Sequence, residues 1–238
     1  MSATVTRHSK AVIFIHWFNA VCWIFLLLTG FGLLANKTMQ PIAQWYVNAL
    51  NFIFGSGGNM LICHVVVAVS WSVVMAAMAL IRWRKDTLPF LKEIVDIHPM
   101  EDLVWVWRKG LWLVLGPKLA KKFGWNTELP KSGFYNAGQQ YVAIIAVLAS
   151  FCLVFSGAVL IFTSQPWAGQ TTAQWLILLH FCCAGLMAIL LPVHIYMAAL
   201  APGEAPALKS MFFGSVPVEH IKHHNPKWYD QLKEQGIV

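Results

Sequence analysis

Four stretches of this chain run for more than twenty residues without an Asp, Glu, Lys or Arg: residues 11–35, 60–81, 141–163 and 175–200. A bilayer core of about 30 Å is crossed by ~20 apolar residues in helical form. Each stretch is long enough. Lipid offers backbone N–H and C=O groups no partner, so a helix, which satisfies them internally, is the natural form at this length and hydrophobicity. The expected fold is an all-α membrane protein. It is a four-transmembrane-helix bundle, and residues 1–238 form one domain.

Charge supports this reading. The chain is 58% hydrophobic and only 11% charged, against roughly 25% charged in an ordinary soluble domain. The net charge of +7 invites a nucleic-acid reading, but its distribution argues against one. Of seventeen Lys and Arg residues, sixteen lie in the N-terminus, the 82–140 loop and the C-terminal tail; the connections 36–59 and 164–174 contain only Lys37. Positive charge accumulates on the cytoplasmic side of membrane proteins. Both termini and the middle loop are therefore expected in the cytoplasm, with no nucleic-acid partner. Arg7 and Lys10 before the first apolar run resemble the start of a signal peptide. The run is too long for one, and His16 and Asn19 interrupt it, so it is read as a mature helix.

The loops carry structure of their own. Residues 40–54 form a weakly amphipathic aromatic stretch suited to lying on the membrane surface, broken by Gly55, Gly57 and Gly58. Residues 103–115 are apolar apart from Arg108 and Lys109, too short and too charged to span, and read as an interfacial helix. Arg82, Trp83, Arg84 and Lys85 end the second span. A short turn through Gln165, Pro166, Trp167, Ala168 and Gly169 joins the third span to the fourth. Five cysteines, all inside spans and without a C-x-x-C pair, argue against a disulfide framework and against covalently attached haem.

The histidines carry the chemistry. His180 and His194 lie fourteen residues apart in the last span. On a helix that is nearly four turns, so both leave the same face, about 21 Å apart along the axis. His16 lies just past the inner start of the first span, and His64 just past the outer start of the second. The topology then pairs His16 with His194 near the cytoplasm and His64 with His180 near the outside. Imidazole binds haem iron and other transition metals. A bare metal usually takes a third or fourth ligand, commonly carboxylate or thiolate. No span holds a carboxylate, and Cys63 is the only thiol beside a candidate ligand. Two axial imidazoles in an apolar slot suit haem, so the expected cofactors are two haem b. The plainer reading, histidines that hydrogen-bond between helices without metal, stays open.

Gly30 falls fourteen residues after His16, at the expected level of the outer haem, where a missing side chain makes room for a porphyrin or simply allows close helix packing. Pro192 frees a backbone carbonyl one turn earlier and bends the helix beside His194. His8, His98, His220, His223 and His224 lie outside the spans and read as solvated or as partner contacts.

Four helices with histidines at these places resemble the cytochrome b (gamma) subunit of respiratory membrane-bound formate dehydrogenases. The segment Phe134-Tyr135-Asn136-Ala137-Gly138-Gln139 is similar to that family's Tyr-Asn-Ala-Gly-Gln signature. The segment His223-His224-Asn225-Pro226-Lys227-Trp228-Tyr229 is similar to its C-terminal His-His-Pro-Lys-Trp-Tyr, with Asn225 inserted. The resemblance covers nearly the whole chain. It implies a multi-pass protein of the bacterial cytoplasmic (inner) membrane. It implies as partners an iron–sulfur (beta) subunit and a molybdenum- or tungsten-containing catalytic (alpha) subunit, and it leaves a higher oligomer of the complex open. Electrons would pass from formate through the outer haem and the inner haem to menaquinone or ubiquinone. By position, the quinone would meet Asn136 and Gln139, whose amides sit at the depth of the inner haem. Helix capping by Asn136, with Gln139 an ordinary interfacial residue, is the alternative for those two. No formate-converting site is expected in this chain. The rivals are a cytochrome b of a hydrogenase or a sulfur-compound oxidoreductase, and a haem-free scaffold or transporter using its histidines for protons or metal.

Overall fold

A computed structural model describes residues 3–34, 42–126, 128–162 and 169–238. Lys37, Gln40 and residues 165–168 of the expected turn lie outside the described residues, as do span ends Ala35 and Thr163. Four helices are long and apolar enough to cross a membrane: α1 (Lys10–Gly32), α3 (Gly57–Ile81), α6 (Ala137–Ile161), and α7 (Gln170–Ile195) with the wide turn Tyr196–Leu200 that prolongs it. Between the first two lies α2 (Gln44–Phe54), which exposes Trp45, Phe52 and Ile53, as an interfacial helix should. The chain is an all-α bundle of membrane helices.

The helix ends differ from the apolar runs by a few residues, and caps explain why. The helix α3 begins at Gly57 because the Ser56 hydroxyl accepts the backbone N–H of Asn59 at 3.1 Å. Past Ile81 the chain keeps winding through the wide turn Trp83–Thr87, where Arg82 Nε meets Asp86 Oδ2 at 2.6 Å, into α4 (Leu88–Val95). The helix α5 (Pro99–Lys122) contains the expected interfacial segment and breaks at Gly116, which takes φ 73°. Left-handed backbone suits glycine, so the first part of α5 ends at Leu115, the expected end of the interfacial segment, and a second helical segment continues beyond the kink to Lys122.

The described chain divides into two units, with boundaries inside α6 and α7. One, residues 10–86 and 150–189, holds α1, α2, α3, the later part of α6 from residue 150 and most of α7. Within it α1 packs on α3 through Trp23 and Trp71, edge to face at 6.0 Å. The Trp71 indole N–H donates to Asn19 Oδ1 at 2.8 Å. The polar residue that interrupts the first run therefore has a partner on the next helix. Gly32 is pressed against Leu50 and Met60, which leave no room for a Cβ. The outward side chains are apolar, Phe14, Val21, Val66 and Phe151 among them, as a lipid-facing surface requires.

The other unit, residues 1–9, 87–149 and 190–238, contains twelve of the seventeen Lys and Arg residues. The polar tail is folded: α8 (Ala205–Phe213), α9 (Val218–His224) and α10 (Pro226–Glu234). Strand β1 (Thr4–Thr6) pairs antiparallel with β2 (Ser215–Pro217), so the N-terminus and the tail lie together. Val216, Ile221, Trp228 and Leu232 form a small core against Val5, Phe134 and Tyr229. Arg7 Nη2 donates to the Phe134 carbonyl at 3.1 Å, with its guanidinium 5.1 Å from the Phe134 ring centre and 5.5 Å from that of Trp228. Asn225, the inserted residue, is buried and donates through Nδ2 to the Gly133 carbonyl at 2.7 Å. His220 is buried here, not solvated as its place outside the spans suggests.

Truncating Trp228 to Ala removes the largest side chain of this core, a change that costs about 3–5 kcal/mol. Limited proteolysis in detergent should then cleave the tail far faster than in Lys233→Ala, whose side chain is exposed. Equal resistance would show that this core does not hold the tail.

Candidate functional site

His64 leaves α3 and His180 leaves α7, and the structure brings them together. Their ring centres are 6.5 Å apart, with planes tilted by 60°. Each ring is held by a hydroxyl on a neighbouring helix. His64 Nδ1 lies 2.8 Å from Thr29 Oγ1 of α1; His180 Nδ1 lies 2.9 Å from Ser156 Oγ of α6. Both hydroxyls are fully buried. Each already donates its single proton to its own helix: Thr29 to the Phe25 carbonyl at 2.8 Å, Ser156 to the Cys152 carbonyl at 2.6 Å.

This fixes the tautomers. A hydroxyl has one proton and two lone pairs. With the proton spent on a carbonyl, the oxygen faces the ring as an acceptor, so Nδ1 carries the hydrogen. Nε2 is then left in each ring as an unprotonated base. That is the arrangement of a metal-ligating histidine whose other nitrogen is anchored by a polar neighbour.

The residue after each hydroxyl is glycine. A Cβ at Gly30 would stand 3.4 Å from His64 Cε1, and one at Gly157 would stand 3.4 Å from His180 Cε1. A methyl would just touch the ring and anything larger would displace it. Thr29-Gly30 and Ser156-Gly157 thus do the same thing on two helices. The sequence places Gly30 at this level; Thr29, Ser156 and Gly157 emerge only with the fold. Their signal is the recurrence of a hydroxyl–glycine pair in two spans, each facing a histidine.

The pair fits haem. A metal–imidazole bond is about 2.0 Å long and the ring centre lies ~1 Å beyond its nitrogen, so two axial imidazoles on one ion have centres ~6 Å apart. The 6.5 Å spacing of His64 and His180 is close to that. No carboxylate lies in these helices to make a different metal set.

His16 stands in α1, half-buried and edge-on to Trp17 at 5.4 Å. His194 stands one residue before the end of α7, with its side chain exposed. The helix α7 therefore carries both His180 and His194, as the spacing requires.

Asn136 and Gln139 form a reciprocal cap at the start of α6. Asn136 Oδ1 accepts the Gln139 backbone N–H at 2.9 Å, and Gln139 Oε1 accepts the Asn136 backbone N–H at 3.1 Å. Capping is thus what their oxygens do. Both amide NH2 groups are without a partner among the described residues. The neighbouring signature residues also serve the helix start. A Cβ on Gly138 would come within 2.9 Å of the Trp105 ring, and Gln140 Nε2 donates to the Glu93 and Asp96 carbonyls at 2.8 and 3.0 Å. Burial pushes the Tyr135 phenol up from its ordinary range.

Residues 7–214 match the family model described as prokaryotic cytochrome b561. The chain belongs to that family. This cytochrome is accordingly a multi-pass haem b protein of the bacterial inner membrane. It is similar to the formate dehydrogenase cytochrome b556(fdo) subunit of Escherichia coli strain K12, with 24% identity over 235 residues, 97% of this chain and 94% of the relative. It is similar also to the formate dehydrogenase cytochrome b556 subunit of Haemophilus influenzae, with 25% identity over 228 residues, 94% of this chain and 82% of the relative.

Thr29→Val and Ser156→Ala each leave a buried imidazole N–H without an acceptor, at a cost of about 1–3 kcal/mol. Thermal unfolding in detergent should show lower midpoints for both, with Thr29→Ser and Ser156→Thr close to the parent. Unchanged midpoints in Thr29→Val and Ser156→Ala would mean that these hydrogen bonds do not hold the rings.

Proposed function

We propose that this cytochrome is the dihaem membrane subunit of a respiratory formate dehydrogenase, carrying electrons from a partner outside the cytoplasmic membrane to quinone. The observation that carries the reading is the facing pair His64 and His180, each with Nδ1 tied to a buried hydroxyl and Nε2 left basic. The names of the relatives support formate as the electron source. The partners are then an iron–sulfur (beta) subunit and a molybdenum- or tungsten-containing catalytic (alpha) subunit.

His64 and His180 hold the outer haem b; His16 and His194 hold the inner one. When bound, haem supplies a one-electron carrier, and the redox chemistry is the cofactor's. The chain would supply imidazole bases held by buried hydroxyls, and glycines where a side chain would press on the rings. The Lys and Arg asymmetry supports a cytoplasmic position for both termini and the middle loop. The pairing of β1 with β2 supports a common side for the N-terminus and the tail.

The quinone, menaquinone or ubiquinone, meets Asn136 and Gln139. Capping uses their oxygens, so the NH2 groups point outward from a fixed frame and donate to a quinone carbonyl. A neutral donor does this without the desolvation cost of a charge. Reduced on the cytoplasmic side, the quinone takes its protons there. Formate oxidised outside then leaves charge separated across the membrane.

Haem content tests the ligand assignment. The parent should carry two b haems per chain by pyridine haemochrome. His64→Ala and His180→Ala should each lose the same haem, and His16→Ala and His194→Ala the other. Loss of the inner haem from His64→Ala would break the pairing.

The cap gives the quinone test a control. Asn136→Ser keeps an N-cap oxygen and removes the amide donor. That variant should retain both haems and their reduction by formate, yet reoxidise several-fold more slowly with a menaquinone analogue. Asn136→Leu should in addition lose about 0.5–2 kcal/mol of stability with the cap. Parent-like reoxidation in Asn136→Ser would move the quinone away from this residue.

A further inference from the structure

The folded tail carries a second group of ligand-type side chains, far in sequence from those of the spans. His220 and His224 lie four residues apart in α9, so both leave one face of the helix. Their rings stack, with centres 4.2 Å apart and planes 16° from parallel. Glu204, just before α8, brings Oε1 to 3.6 Å from His224 Nδ1. One ligand atom from each of the three lies within 4.8 Å of the other two.

The surroundings are shaped around this group. Gly203 takes φ 88°, and a Cβ there would stand 3.4 Å from His224 Cε1. The turn that presents Glu204 thus runs close against the imidazole in a conformation that suits glycine. His220 is only 9% exposed, and its ring nitrogens have no hydrogen-bond partner among the described residues. Buried polar groups are normally hydrogen-bonded. An ion pair between Glu204 and His224 accounts for two of the three residues and leaves His220 near the same carboxylate without a hydrogen bond to it.

We propose that Glu204, His220 and His224 bind a divalent transition-metal ion of the zinc class. Two histidines at i and i+4 on one helix face, closed by a carboxylate from elsewhere, present the donor types and spacing that zinc takes. Three protein ligands leave a fourth position for water. The ion ties α9 to the turn after the last span, and so fixes the tail whose core includes Ile221. Lys109 and Arg7 also bear on the Glu204 carboxylate.

The test uses the intact cytochrome, purified with its partners, stripped with chelator and titrated with zinc sulfate. Stoichiometric zinc per chain should bind, and its K-edge absorption should show two imidazoles with oxygen ligands. His220→Ala and Glu204→Gln should each weaken binding at least tenfold. His223→Ala, which removes an exposed neighbour paired with Glu219, should bind as the parent does. The visible haem spectrum, recorded in every variant, reports whether the spans are intact. No stoichiometric zinc, zinc without imidazole ligands, or binding lost only in His223→Ala would each overturn the proposal. The absorption measurement on the unaltered protein decides even if a variant fails to fold.

Discussion

Inside a lipid-facing bundle there is no water to receive an imidazole N–H, so each ring is oriented by whatever acceptor the next helix supplies. At His64 and His180 that acceptor is a hydroxyl whose own proton is already spent on a backbone carbonyl. One hydrogen bond then sets the tautomer, the rotamer and the free nitrogen of each ring. The approach of His64 to His180 and the closeness of Gly30 and Gly157 to their rings depend on it. A buried hydroxyl does this more cheaply than a carboxylate, because no charge has to be desolvated. It also keeps negative charge away from the two rings.

The tail works by a different economy. Its three helices are only seven to nine residues long, and each alone would be marginal. They are held by packing around Trp228, by Arg7 against two aromatic rings, and by side-chain amides reaching backbone carbonyls. The segment that contains Asn136 is built into the same unit. Its capping amides therefore sit in a rigid frame at the mouth of α6, which is what a small polar contact to an exchangeable ligand needs. The His-His-Asn-Pro-Lys-Trp-Tyr segment supplies Trp228 to the core and Asn225 to the Gly133 carbonyl.

Much of this was legible in the sequence because a bilayer leaves few choices. Absence of charge over a fixed length located all four spans, and matched depth picked His64 and His180 as partners. What failed to show has physical causes. Helix winding continues past an apolar run until a cap or a left-handed glycine stops it, so α3, α6 and α7 begin several residues before their runs. Thr29 and Ser156 look like the many span hydroxyls that bond back to their own helix, and only the fold reveals which ring each one faces. Three-residue strands such as β1 and β2 carry too little pattern to be read. His220 lay outside the spans in a polar stretch, where solvent was the natural expectation; packing of α9 buried it.

The spin state of the oxidised cytochrome tests the ligation directly. Two strong imidazole ligands on each iron give low-spin ferric haem at both sites. Electron paramagnetic resonance of the air-oxidised protein should therefore show two low-spin signals per chain and no high-spin signal, with no change when excess imidazole is added. A high-spin signal that imidazole converts to low-spin would reveal an open axial position. It would contradict the assignment of His16, His64, His180 and His194 as two complete pairs.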